Sequence, residues 1–115
     1  SGKGPSEKQI ENQILNWLEW MRVYGWKTKT SGTYDLATKR FRGASRLYRT
    51  GVADIIGILP DNGRLFAIEV KTKTGRLQEN QKTFLSEIKA RGGLALVARS
   101  LEDVEDFIED IKERA

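Results

Sequence analysis

The chain has 115 residues, enough for one domain with one core. It contains neither histidine nor cysteine, which excludes a Ser-His-Asp triad, a thiol nucleophile, an imidazole base, a disulfide and a Cys/His zinc site. Formal net charge is +4, and any catalysis must run on carboxylates, Lys, Arg, hydroxyls, amides or a hard cation such as Mg²⁺ or Mn²⁺ held by oxygen.

Hydrophobic residues make up 38% and charged residues 31%, a mix that suits a folded domain rather than a disordered one. No apolar run has membrane-spanning length, and no stretch reads as a signal peptide. The cysteine-free composition fits a reducing compartment, so a cytoplasmic location is expected. The charge is uneven. From Arg22 to Thr50 there are eight basic residues and one acid (Asp35), a local net of +7. From Leu101 to Ala115 there are seven acids and two basic residues, a local net of −5. The basic stretch also holds Tyr34, Phe41 and Tyr48, and such a mixture suits a polyanion surface as well as an ordinary solvated loop.

Residues 1–6 read as a flexible N-terminus or expression remnant, and 7–115 as one domain. Ser6-Glu7-Lys8-Gln9 is a capping box, and Ile10, Ile14, Leu18 and Met21 follow at helical spacing, predicting a helix over 7–24. Trp26 to Thr30 reads as a first strand. Ser31 to Gly51 is a long basic loop or irregular hairpin. Val52 to Leu59 and Arg64 to Thr72 form a hairpin around Pro60-Asp61-Asn62-Gly63. Gln78 to Arg91 is a helix with Phe84, Leu85 and Ile88 on its apolar stripe, stopped by Gly92-Gly93. Leu94 to Ala98 is a short strand. Ser100 caps a last acidic helix that turns Val104, Phe107, Ile108 and Ile111 inward. The order α-β-β-β-α-β-α predicts an α/β (α+β) domain with a mixed sheet flanked by helices.

Polar residues interrupt two apolar strands. Glu69 and Lys71 lie two apart and share a face, with Phe66, Ile68 and Val70 on the other. A two-residue hairpin loop pairs Asp54 with Lys71, and a four-residue loop pairs it with Glu69. Both registers put Asp54 on the Glu69 face; an odd-length loop reverses it. Two carboxylates and a lysine among apolar neighbours are costly unless paired, hydrated or metal-bound. A buried Lys71 ion pair and a wet edge face both remain open on these grounds. Glu11 borders the inward face of the first helix, and Gln81 lies on the apolar stripe of the second. As first-turn residues both also read as exposed side chains.

Asp54, a hairpin and Glu69-Val70-Lys71 together resemble the PD-(D/E)xK nuclease superfamily, with Ala53 where the superfamily name has Pro. Gly51–Gly57, then Ile68-Glu69-Val70-Lys71-Thr72-Lys73-Thr74-Gly75-Arg76-Leu77 and Glu79-Asn80-Gln81, resemble more narrowly the virus-type replication-repair nuclease (VRR-NUC) domain. The likeness spans Glu11 to Leu101. Gln78 departs from the usual Ser or Thr at the helix cap, and 31–49 has no counterpart in the pattern.

The resemblance implies a restriction-endonuclease-like αβββαβ core with an added C-terminal helix. It implies that Asp54, Glu69 and the Val70 backbone carbonyl hold Mg²⁺ (or Mn²⁺), with Glu11 acting through water. It implies that Lys71 orients the attacking water and that Gln81 supports the site. Beside two acids, Lys71 suits charge stabilisation better than general-base action. Lys27, Lys29, Arg40, Arg42, Arg46, Arg49, Lys73 and Arg76 are expected to track DNA phosphates. Such domains resemble phage and bacterial nucleases that cut branched DNA. The reading is therefore a metal-dependent DNA endonuclease, a homodimer resolving four-way junctions. A monomeric flap or single-strand-biased nuclease and a catalytically silent DNA-binding module are the alternatives.

Overall fold

The computed structural model describes residues 4–29, 34–35, 40–41 and 49–114. Helix α1 spans Glu7–Trp20. The capping box is formed: Gln9 N–H donates to Ser6 Oγ (3.2 Å) and Ser6 N–H to Gln9 Oε1 (2.8 Å). The helix is shorter than the expected 7–24. Arg22 adopts a left-handed conformation (φ 59°), and Val23 N–H returns to the Leu18 carbonyl (2.9 Å) while Arg22 N–H returns to that of Glu19 (3.0 Å). This Schellman-type ending breaks the helix one turn before Gly25. The next strand, β1 (Tyr24–Lys27), consequently starts two residues earlier than the 26–30 reading.

Strands β2 (Tyr34–Asp35) and β3 (Arg40–Phe41) pair antiparallel, in keeping with the irregular-hairpin reading; the rest of 31–48 lies outside the described residues. Strand β4 is Ile55–Ile58 and β5 is Leu65–Val70, both shorter than expected. Ile58 faces Leu65 and Ile55 faces Ile68. That register continues to Asp54 opposite Glu69, so the connection is the four-residue loop 60–63. Helix α2 (Glu79–Ala90), β6 (Leu94–Ala98) and α3 (Leu101–Arg114) complete the chain. Ser100 Oγ accepts the Asp103 N–H (3.3 Å), as a cap should.

The sheet order is β1-β4-β5-β6, antiparallel except for the β5–β6 pair. Ile10, Ile14 and Leu18 of α1 and Val104 and Ile108 of α3 pack on the face carrying Ile55, Phe66, Ile68 and Val70. Each such buried side chain contributes about 1.5–3 kcal/mol. Leu85 of α2 covers Ala53, Ala67 and Ala95 on the other face, with Phe84 and Ile88 beside it. Gly57 leaves room for the Phe66 ring, into which a Cβ at 57 would project. The result is a helix–sheet–helix sandwich, an α+β fold. Among the described residues no helix is long and apolar enough to cross a membrane.

Candidate active site

The α2-facing side of the sheet is apolar in the middle and polar at one end. Ala67 gives way to Glu69 near the end of β5 and Lys71 just past it, and Asp54, directly before β4, lies opposite Glu69 where the β4–β5 register is continued. Asp54, Glu69, Lys71 and Gln81 are all buried. Asp54 Oδ2 accepts the Val70 N–H (2.8 Å), which fixes its carboxylate against the end of β5. Thr28 fastens the neighbouring strand, donating its N–H to the Asp54 carbonyl (2.9 Å) and its hydroxyl to that of Ala53 (2.6 Å).

Gln81 is held at both ends. Its Oε1 accepts the N–H of Gln78 (2.9 Å), the α2 cap residue, and its Nε2 donates to Glu69 Oε2 (3.1 Å). The helix start therefore orients the amide, and the amide orients the carboxyl. Lys71 Nζ lies 3.8 Å from the same Oε2. The other oxygen, Glu69 Oε1, is buried with no hydrogen-bond partner among the described residues. Helix α2 approaches this closely because residue 51 is glycine. At φ 71° its missing Cβ would strike the Asn80 carbonyl, and it would come within 2.7 Å of Gln81 N.

Electrostatics follow from this crowding. Burial, then the facing Asp54 carboxylate, pushes the Glu69 carboxyl up to about 7; Lys29 and Lys71 oppose the shift only in part. Glu11, half-buried on α1, is also raised, first by burial and then by Asp54, against Lys27 and Lys29. Glu11 thus lies within electrostatic range of Asp54, though among the described residues it forms no three-carboxylate cluster with the pair. Lys29 forms an ion pair with Asp54 Oδ1 (3.1 Å) although its side chain is 64% exposed. Burial lowers the Lys29 ammonium, but the Asp54 hydrogen bond and the neighbouring carboxylates outweigh it, and the net shift is upward.

The donor set fits a hard cation. Lys29 and Lys71 reach the two facing carboxyls but do not offset their burial and mutual repulsion, so Glu69 stays raised, and its Oε1 has no hydrogen-bond partner among the described residues; a further cation would stabilise both in ionised form. Among the described residues no three carboxylates are close enough to form a full cage, so water or backbone oxygen would complete the shell.

The expected phosphate-tracking residues divide. Lys27 on β1, Lys29 just past it, and Arg49, Lys73 and Arg76 are exposed. Lys29 and Arg49 line a groove of about 400 Å³ with Thr28, Gly51, Gln78, Asn80 and Gln81. A second groove, about 560 Å³, shares Arg49 and Asn80 and runs along α2 to Arg91. Arg42 and Arg46 lie outside the described residues, as does the Arg40 side chain.

Two residues escaped the sequence reading. Lys29 was expected on phosphate and sits on Asp54. Arg99 donates to the carbonyls of Thr72 (2.6 Å), Gly75 (2.8 Å) and Lys73 (3.4 Å), clamping the loop that follows Lys71. Its only signal was its place directly after β6, whose parallel register with β5 brings Ala98 beside Val70. By sequence, the aromatic residues Trp17, Trp20, Tyr24 and Trp26 near the first helix suit either the core or a dimer face. Trp17 packs against the core, but Trp20, Tyr24 and Trp26 are 77%, 73% and 42% exposed.

Known proteins agree with this architecture. One solved structure described as "VRR_NUC domain" aligns with a TM-score of 0.65 at 20% identity, covering 91% of this chain and 97% of that one. Another, "VRR_NUC domain protein", aligns with a TM-score of 0.63 at 21% identity, covering 93% and 88%. No curated protein matches significantly. The sequence model of the VRR-NUC domain matches residues 5–102, and the chain belongs to the VRR-NUC nuclease domain family.

Proposed function

We propose that the protein is a divalent-metal-dependent endonuclease that hydrolyses phosphodiester bonds in branched DNA, acting as a homodimer on four-way junctions. The observation that carries the reading is the buried Asp54–Glu69 pair beside Lys71, with Glu69 Oε1 left unsatisfied.

Asp54 and Glu69 would hold the cation (Mg²⁺, with Mn²⁺ as a substitute), joined by the Val70 carbonyl and, through water, by Glu11. When bound, that ion supplies a more acidic water and positive charge for the phosphate oxygens. Glu69, held by Gln81 in one orientation, would bind the ion as its carboxylate, so its raised carboxyl would make binding weaker at low pH. Lys71 is anchored at its backbone, its N–H bonded to the Ala98 carbonyl (3.0 Å), and its ammonium lies 3.8 Å from Glu69 Oε2. There it aligns the attacking water and offsets the charge that develops on phosphate. Arg49, Lys73 and Arg76, with the basic 31–48 segment, track the backbone without reading sequence. The dimer follows from the substrate: a junction is resolved by two symmetric cuts, and one protomer holds one site.

Labelled four-way junction, flap and linear duplex, incubated with Mg²⁺, Mn²⁺ or Ca²⁺, test this reading. Paired symmetric junction cuts in Mg²⁺, with a dimer mass by light scattering, are expected. Cutting of flaps alone by a monomer would replace the junction reading. Absence of any metal-dependent cutting would remove the enzymatic one.

A further inference from the structure

Among the described residues, strand β1 is the outer strand of its sheet and pairs with β4 alone. Its register puts Trp26 opposite Ile56 and Tyr24 opposite Ile58. The same ladder continues to Thr28, whose N–H meets the Asp54 carbonyl. Cross-strand partners share a face, so Tyr24 and Trp26 project on the side of Ile56, Asp54 and Glu69. Gly25 confirms the assignment: a Cβ there would touch Leu18 of α1, on the opposite face.

Two large aromatics thus stand exposed on the catalytic face, Tyr24 mostly in solvent and Trp26 less than half. Their ring centroids are 5.4 Å apart and tilted by 57°. At about 3.3 Å per residue, Trp26 lies roughly 7 Å along the strand from Thr28 and Tyr24 roughly 13 Å. Exposed aromatics at such a position mark a contact surface. Its charge identifies the occupant. Residues 22–29 carry no acid; Lys29 is held by Asp54, which leaves the exposed Arg22 and, alternating to the strand's other side, Lys27 as the cations of this edge that match a phosphate backbone. Aromatic faces beside a cationic track take nucleobases by stacking, whatever their identity.

We propose that Tyr24 and Trp26 form a stacking platform for unpaired DNA bases that leave the duplex beside the scissile phosphate. The inference rests on DNA being the substrate, and it assigns the edge strand to recognising the unpaired part of a branch.

Binding of the full chain is measured by fluorescence anisotropy in EDTA, where nothing is cut. The probes are a labelled oligothymidylate, an abasic strand of equal length and a linear duplex. Wild type should bind the thymidylate about tenfold to a hundredfold more tightly than the abasic strand. Trp26→Ala and Tyr24→Ala should each reduce that preference, Trp26→Phe should keep most of it, and duplex binding should not change. Equal affinity of wild type for the two single strands would overturn the platform. So would equal losses on both strands in the alanine variants, or a change in their mass by light scattering, which would make this edge an interface between copies. Preference without metal-dependent cutting would leave the platform standing while removing the nuclease reading. Cutting without preference would do the reverse.

Discussion

Replacing Glu69 with Gln should change how stability depends on pH, by an amount the structure sets. The Glu69 carboxyl moves from an ordinary 4.5 to about 7 on folding, because it is buried and faces Asp54. Between those values the folded chain holds a proton that the unfolded chain has lost. Stability from this group is therefore full below pH 4.5 and falls as pH rises through about 7. Between pH 5 and pH 8 the fall is roughly 2.5 kcal/mol, from 1.36 kcal/mol per pKa unit. Glutamine keeps the size and an oxygen for Gln81 but does not ionise. Lys71 loses its carboxylate in the variant, which lowers stability, so the informative quantity is the difference between the two pH values. Urea unfolding in EDTA at pH 5 and pH 8, on wild type and Glu69→Gln, measures it. The fall should be about 2.5 kcal/mol smaller in the variant. An identical fall in both proteins would refute the claim that Glu69 carries the electrostatic strain of the site.

Other expectations follow from particular contacts. Gly51→Ala should cost at least about 3 kcal/mol in thermal unfolding, since left-handed strain adds to a collision with the α2 backbone. Gly57→Ala should be destabilising in the same assay, and Phe66→Leu should recover part of the loss in the double variant, because the added Cβ meets the Phe66 ring. Arg22→Gly should stabilise by about 1 kcal/mol, since glycine accepts φ 59° without a steric penalty. Lys29→Ala should tighten Mg²⁺ binding in calorimetry by about fivefold, the factor matching an ion pair of ~1 kcal/mol that competes for Asp54.

The sequence reading succeeded where local periodicity carried the information. Period two along residues 65–71 placed Glu69 and Lys71 opposite Phe66, Ile68 and Val70, and the parity of the hairpin loop placed Asp54 with them. Only the choice between two even registers needed the fold, which selected Asp54 opposite Glu69. Gln81 was legible because its i+4 neighbour, Leu85, marks the buried stripe of α2. The misses are non-local or conformational. The α1 end depended on an arginine in a glycine-like conformation. The Lys29–Asp54 pair depended on the β1–β4 register, across a separation no local pattern spans. The exposed Trp20, Tyr24 and Trp26 suited core or a dimer face alike, because hydrophobicity says nothing about which side of a helix end or an edge strand is covered.

Single-turnover cleavage of a labelled four-way junction in Mg²⁺, by wild type, Asp54→Ala and Lys71→Ala, tests the central assignment most directly. The account predicts metal-dependent cutting by wild type and at least about a hundredfold slower cutting by each variant, with the fold retained by circular dichroism. Cutting by Asp54→Ala at the wild-type rate, or cutting that persists in EDTA, would contradict it.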